Sequence, residues 1–236
     1  MTATGTALLA ADVAAVVEEV FAEVHRLQAA ALPVVRDLAG AGPGRLEDAA
    51  RELLATPGQL AVGLGLIVAP RPEDGVGLRL LWWQVDPAGG RLVALHPDLR
   101  PSSLGFYDYT STEWFDVPRC TGRRHVVGPY VDVHGTGRYL FTLTEPVLHG
   151  GRFLGVVGAD VPVSRFEASL LGLLGADVSP FVLVNDEGRV VLSTSAARLV
   201  GALLRPDTDL PGEGTPVAGV PWRLFPVDGA DRLLRG

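Results

Sequence analysis

The sequence predicts an α+β fold: a long helix near the N-terminus, a central antiparallel sheet of about five strands with flanking helices, and a smaller C-terminal sheet module. Three observations carry this. Apolar residues recur at helical spacing from residue 12 to about 38. Short apolar runs bounded by Pro, Gly and Asp follow from residue 60. Gly-containing turns join successive runs as hairpins, and hairpins mixed with helices point away from a parallel doubly wound sheet.

In the helix, Val13, Val16, Val17, Val20, Val24, Leu27 and Ala31 form one stripe, with Glu18, Glu19, Glu23 and Arg26 largely off it. Asp12 fits an N-cap, and Pro33 is expected to kink or end the helix. The stripe serves either packing within the chain or a homodimer, because an amphipathic helix must bury its apolar side somewhere. AGAGPGR at 39–45 follows a helix rather than a strand, so it reads as a cap and linker and not as a dinucleotide loop. A second helix follows at about 45–56. AVGLGLIVA, RLLWWQVD and RLVALHPD read as strands, with DPAGGR as a turn. Residues 102–123 form a loop with one or two short helices, where Thr112 could cap a turn beginning at Glu113. HVVGPYVD, RYLFTLTEPVL and RFLGVVGADVPV are strands, the last two joined by HGG at 149–151. A helix at 163–175, the strands FVLVND and RVVLST, and a final strand VPWRLFPV complete the chain. The expected divisions are 1–58 (helical), 59–177 (ligand-binding) and 178–236 (small module).

The 236 residues are 47% hydrophobic and 20% charged, enough for a real core. A net charge of −7 without a basic run argues against nucleic acid, which needs clustered positive charge. Every basic residue is arginine, so Schiff-base and P-loop lysine chemistry are excluded. The single cysteine, Cys120, forms no internal disulfide and suits a reducing compartment. No run has the ~20 apolar residues of a membrane span, and the first residues lack a positive leader region. A cytoplasmic location is the expectation.

Catalytic patterns are weak. There is no G-x-S-x-G elbow. The histidines, His25, His96, His125, His134 and His149, show no H-x-x-x-H spacing, and a metal site from His134 and Asp132 competes with scattered surface histidine. Glu145, Asp160 and a histidine are the acid–base alternative. No cofactor is expected.

The richest stretch runs from Phe106 to Asp160: FYDYTSTEWF, GPYVD, GRYLFTLTEPV and GRFLGVVGADV. Phe106, Tyr107, Tyr109, Trp114 and Phe115 read as core or as a pocket. Tyr107, Tyr109 and Tyr130 carry hydroxyls that need partners and lie in loop-like segments. An aromatic cage with a carboxylate, Asp160, suits a small cationic or polar ligand.

The order of Tyr107, Trp114–Phe115, Pro129–Tyr130 and Gly158–Ala159–Asp160 resembles the Cache family, the extended PAS-like sensor domains of bacterial receptors. VSPFVLVNDEGRVVLST is similar to the opening of the second, smaller Cache module. The resemblance spans about residues 60 to 227. It implies a non-catalytic sensor in which Asp160 holds a ligand ammonium and Tyr107, Trp114 and Tyr130 form the cage. Tyr109, Asp132 and Thr142 complete the expected ligand-binding set. Thr112 stands where amino-acid sensors of the family carry an arginine for the ligand carboxylate, and Phe115 replaces a tyrosine. Arg119, Arg123 and Arg138 are the candidate substitutes for the clamp. The expected ligand is an amine, an amino acid or another small polar metabolite. The expected signal leaves through the N-terminal helix, through a homodimer or a downstream protein partner. A purely structural interaction module is the remaining alternative.

Overall fold

The computed structural model describes residues 3–38, 42–86, 90–133, 137–174 and 179–227. The fold is α+β. Helix α1 (Ala3–Arg36) leads to α2 (Gly44–Leu54), then strands β1 (Gly63–Val68), β2 (Arg79–Val85) and β3 (Leu92–Ala94). Helix α3 (Glu113–Thr121) precedes β4 (His125–Val131), β5 (Tyr139–His149) and β6 (Arg152–Pro162). After α4 (Val163–Leu174) come β7 (Phe181–Val184), β8 (Val190–Ser193), β9 (Thr215–Pro216) and β10 (Arg223–Pro226). Two sheets result: six strands in the order β3-β2-β1-β6-β5-β4, and four in the order β8-β7-β10-β9. The larger sheet thus has one strand more than the expected five.

Several boundaries differ from the sequence reading. Asp12 caps nothing: α1 extends upstream because Leu9 and Ala10 continue the buried stripe. Pro33 neither ends nor bends α1 out of assignment. Lacking an N–H, it forgoes one bond within the last turn, and its own carbonyl still accepts from Asp37 N at 3.1 Å. Thr112 does stand at the N-cap of α3, but its hydroxyl donates to Tyr109 O at 2.6 Å instead of capping. The expected turn at 86–91 closes through Asp86 N to Arg91 O at 2.8 Å, with residues 87–89 outside the described set. His134, one arm of the candidate metal site, is also outside it. Among the described residues no cluster of His, Cys, Asp or Glu could hold a metal, and no helix is long and apolar enough to cross a membrane.

The chain forms two compact units. One contains Met1–Glu18, Gly128–Tyr130 and Val163–Gly236, and the other Glu19–Val127 and Val131–Pro162. The expected boundary at 177 falls outside the described residues. In the first unit, Val182, Val184, Val190 and Phe225 build the small core, and Phe166 meets Trp222 edge-on at 5.7 Å.

The second unit holds most of the large sheet, and strand alternation gives that sheet two different faces. Leu64, Leu66 and Val68 of β1 lie in register with Trp83, Leu81 and Arg79 on one side and Ala159, Val157 and Gly155 on the other. This face receives α1: His25 approaches Glu145, and Gln28 Nε2 donates to Pro146 O at 2.9 Å. Val20, Val24, Leu27 and Ala31 are buried there, so the stripe is satisfied within the chain. The motive for a dimer along it is removed. Arg71, itself buried, ties the helix end to the sheet by donating to Val35 O, Ala69 O and Leu154 O.

Candidate functional site

The opposite face of the same sheet carries the site. Its first row across four strands is Gln84, Gly63, Asp160 and Thr142. The next row is Trp82, Gly65, Gly158 and Thr144, and the third is Leu80, Ile67, Val156 and Pro146. Polarity therefore falls along the strands from one end of the face to the other.

Glycine stands at three of the four middle positions of the first two rows, for a steric reason. A Cβ on Gly65 would lie 2.7 Å from both Cα and Cε3 of Trp82, and one on Gly63 would lie 2.8 Å from its Nε1. A Cβ on Gly158 would stand 3.3 Å from Cη2 of the same ring and 2.7 Å from Leu143 O. The indole of Trp82 thus lies along a shelf of Gly63, Gly65 and Gly158, and the bare backbone is what admits it. At the end of this shelf its Nε1–H donates to Asp160 Oδ2 at 3.0 Å. Thr142 Oγ1 donates to Asp160 Oδ1 at 2.7 Å.

Asp160 is 7% exposed. Burial pushes its carboxyl up to about 7, because the charged form has lost water. The Thr142 bond opposes this, the negative charge of Asp132 adds to it, and Trp82 and Arg138 pull it down. Two neutral donors and one more distant guanidinium do not offset desolvation. Tyr107 borders the same ground: its phenol is pushed up first by burial and then by Asp132 and Asp160. Asp132 and Arg138 face each other across the β4–β5 connection, with Asp132 N donating to Arg138 O at 3.0 Å. Arg138 Nη2 also donates to Val85 O at 2.8 Å. The Oε1 of Gln84 is buried and has no hydrogen-bond partner among the described residues.

The structure thus brings Tyr107, Asp132, Thr142 and Asp160 of the expected set together. It uses the others differently. Tyr109 is fully buried, donates its hydroxyl to Val68 O at 2.6 Å and accepts from Arg79 N at 2.9 Å. It pins β1 to β2. Phe115 is fully buried against Tyr109 and Phe153, with centroids at 5.3 and 5.4 Å. Trp114 closes the same core cluster, and its carbonyl accepts from Thr144 Oγ1 at 2.8 Å. Thr112 spends its hydroxyl on Tyr109 O. Tyr130 belongs to the smaller unit. Among the candidate clamps, Arg119 pairs with Asp116 at the surface and Arg123 is exposed, which leaves Arg138 as the one whose field reaches Asp160.

Trp82 and Gln84 were missed in the sequence. The available signal was alternate glycines in one strand, GLG at 63–65, opposite a Trp-Trp pair in the next. Glycine at every second position clears one face of a strand, and one of the two tryptophans must use it.

No family model matches the chain. Solved structures do. The ligand-binding domain of the Pseudomonas aeruginosa amino acid chemoreceptor PctC in complex with GABA aligns with a TM-score of 0.55 and 22% identity, over 94% of this chain and 98% of that one. The corresponding domain of PctB from the same organism, in complex with L-Arg, gives 0.60 and 16%, over 98% and 95%. The domain of the Pseudomonas fluorescens chemoreceptor CtaA in complex with L-valine gives 0.59 and 15%, over 96% and 95%. The chain shares the α+β, Cache-like fold of these domains. At these identities the likeness is one of fold, and it agrees with the resemblance read from the Tyr107-to-Asp160 pattern. In this Cache-type fold the candidate site occupies the sheet face away from α1.

Proposed function

We propose that this chain is a non-catalytic sensor domain whose larger unit binds a small cationic metabolite, an amine or amino acid, at Asp160. The carrying observation is a carboxylate buried in the sheet to which, among the described residues, the side chains of Thr142 and Trp82 donate. A buried acid so weakly compensated is costly, and a ligand ammonium supplies the missing charge-assisted bonds. Tyr107 and Trp82 give the ammonium aromatic neighbours, a partial cage in place of the expected one of Tyr107, Trp114 and Tyr130. For an amino acid, Arg138 takes the clamp role that Thr112 lacks. The ligands named for the PctC, PctB and CtaA domains are of this chemical class.

The acid–base alternative requires Glu145 and Asp160 to share a substrate. Glu145 is in register with Val157 on the α1 face, whereas Asp160 pairs with Thr142 on the other. They lie on opposite faces of one sheet, which favours the sensor. Output through α1 to a protein partner, and a cytoplasmic setting suited to the free, exposed Cys120, belong to the same proposal.

A thermal-shift screen of amines and amino acids at pH 8 tests it, with turnover monitored in parallel. Ligand present at a hundredfold excess over its Kd stabilises by about 2.7 kcal/mol, a rise of a few degrees. Stabilisation by unchanged compound, lost in Asp160→Asn, supports the sensor. Turnover supports the enzyme, and the absence of any binder leaves the structural module.

A further inference from the structure

We propose that Trp82 is the positioning residue of this site: laid on the Gly63–Gly65–Gly158 shelf, its indole N–H fixes Asp160 Oδ2 and favours the charged form of the carboxylate. Service to a cationic ligand rests on the functional reading above, but the positioning itself does not. Three glycines on two adjacent strands are bare where the ring lies: a Cβ on Gly63 or Gly65 would strike the ring at 2.8 and 2.7 Å, and one on Gly158 would crowd it at 3.3 Å. Ordinary core packing asks only for a filled space, which a Leu or Phe over alanines would supply. The shelf instead lets a ring lie flat and send its one polar atom 3.0 Å from a buried carboxylate. An indole N–H can only donate. It therefore stabilises the charged carboxylate and offers a protonated one much less.

The groups that bear on Asp160 come from every neighbouring element. Thr142 lies beside it on β5, with Arg138 one residue before that strand and Asp132 just after β4. From the loop before α3, Tyr107 is an ionisable neighbour whose phenol stays protonated at neutral pH. On β1, Gly63 contributes no side chain. Of these, only Thr142 and Trp82 make a direct side-chain hydrogen bond to the carboxylate.

The test is a carboxyl-carbon NMR titration of Asp160, assigned by the signal that Asp160→Asn removes. Trp82→Phe keeps an aromatic plate on the shelf and deletes the N–H. The wild-type midpoint is expected near 7. In the Phe variant it moves up by about one pH unit or more, as loss of a hydrogen bond to a charged group requires. A role in packing alone predicts lower stability with the midpoint unmoved, and that result overturns the proposal. Should the Phe variant fail to fold, the wild type still decides. One of the four tryptophan indole N–H signals must titrate with the Asp160 midpoint and stop titrating in Asp160→Asn. If none does, Trp82 does not hold this carboxylate. Neither measurement contains a ligand, so failure here leaves the sensor reading standing, and failure of the ligand screen leaves this one standing.

Discussion

The two faces of the six-stranded sheet share the same strands and differ most in the two rows around Asp160. On the α1 side, Leu64, Leu66, Val157 and Ala159 are fully buried, and Leu143 is nearly so. On the other side the same strands present Gly63, Gly65, Gly158, Thr142, Thr144 and Asp160, also buried or nearly so. Burial is thus equal and chemistry is not. The first face gains its stability from apolar area removed from water. The second gives up side-chain volume at three positions and desolvates a carboxylate. Each of those choices weakens a fold taken alone. A sheet that is conventional on one side can carry such a cost on the other, and the costly side is where a ligand's binding energy can be used.

The largest expected effect comes from removing the conventional side. Deleting residues 1–38 strips α1 from the sheet and exposes Leu64, Leu66 and Val157 together. Each buried aliphatic side chain contributes about 1.5–3 kcal/mol by burial, and a domain has only about 5–15 kcal/mol in all. The truncated chain is expected to be unfolded or insoluble by circular dichroism and size-exclusion chromatography. A soluble, cooperatively folding monomer would show instead that the stripe is an interface between copies.

A second effect, opposite for binding and for stability, is expected on the functional face. Asp160→Asn removes the charge and keeps the shape. Loss of one partner of a buried charge pair costs on the order of 2–5 kcal/mol of ligand binding. The unliganded variant should nevertheless be the more stable one at pH 8. The folded carboxyl titrates at about 7 against an ordinary value of 3.8. Its contribution to stability is therefore full below about pH 4 and is lost as pH rises through 7. That loss amounts to at most about 4 kcal/mol, and Asn escapes it. Denaturant melts from pH 5 to 8 should fall for wild type relative to the variant. Cation affinity should run the other way, weakening about tenfold for each pH unit below 7, since binding must first expel the proton. Parallel pH profiles for the two proteins would mean that Asp160 does not titrate in this window.

Much of this contrast could be read in advance, and the unread part has a physical reason. The hairpin HGG, the acid at the end of GVVGAD and the α1 stripe follow from local periodicity, which strand and helix geometry impose directly. The long-range register that sets Gly63 between Gln84 and Asp160 does not. Trp82 and Trp83 are adjacent in sequence and look alike, yet one packs on the α1 face and the other lies over glycines. Only pairing decides which. The aromatic run from Tyr107 to Phe115 was ambiguous for a related reason. Tyr109 and Tyr107 are both tyrosines near loops, but the hydroxyl of Tyr109 finds Val68 O and Arg79 N on strands about 30 to 40 residues away in sequence. That sends it to the core, while the phenol of Tyr107 stays beside Asp132 and Asp160.

The smallest expected effect sharpens the comparison most, because it asks whether the faces are independent. Glu145 is the one acid on the α1 face of β5, with its side chain 16% exposed and His25 Nδ1 at 3.6 Å. His25 itself is largely open to solvent, its side chain 76% exposed. A pair so placed contributes about 0–1 kcal/mol, so Glu145→Gln should shift the denaturation midpoint only slightly. Ligand affinity should stay within about twofold, since separated sites on opposite sides of a sheet add independently. If acid–base chemistry joined Glu145 to Asp160, the substitution would abolish turnover of whatever compound binds and alter its pH profile. Paired calorimetry on Glu145→Gln, Asp160→Asn and the double variant separates the two cases. Additive effects keep the α1 face structural, and a coupling energy beyond about 0.5 kcal/mol would join the faces in one site.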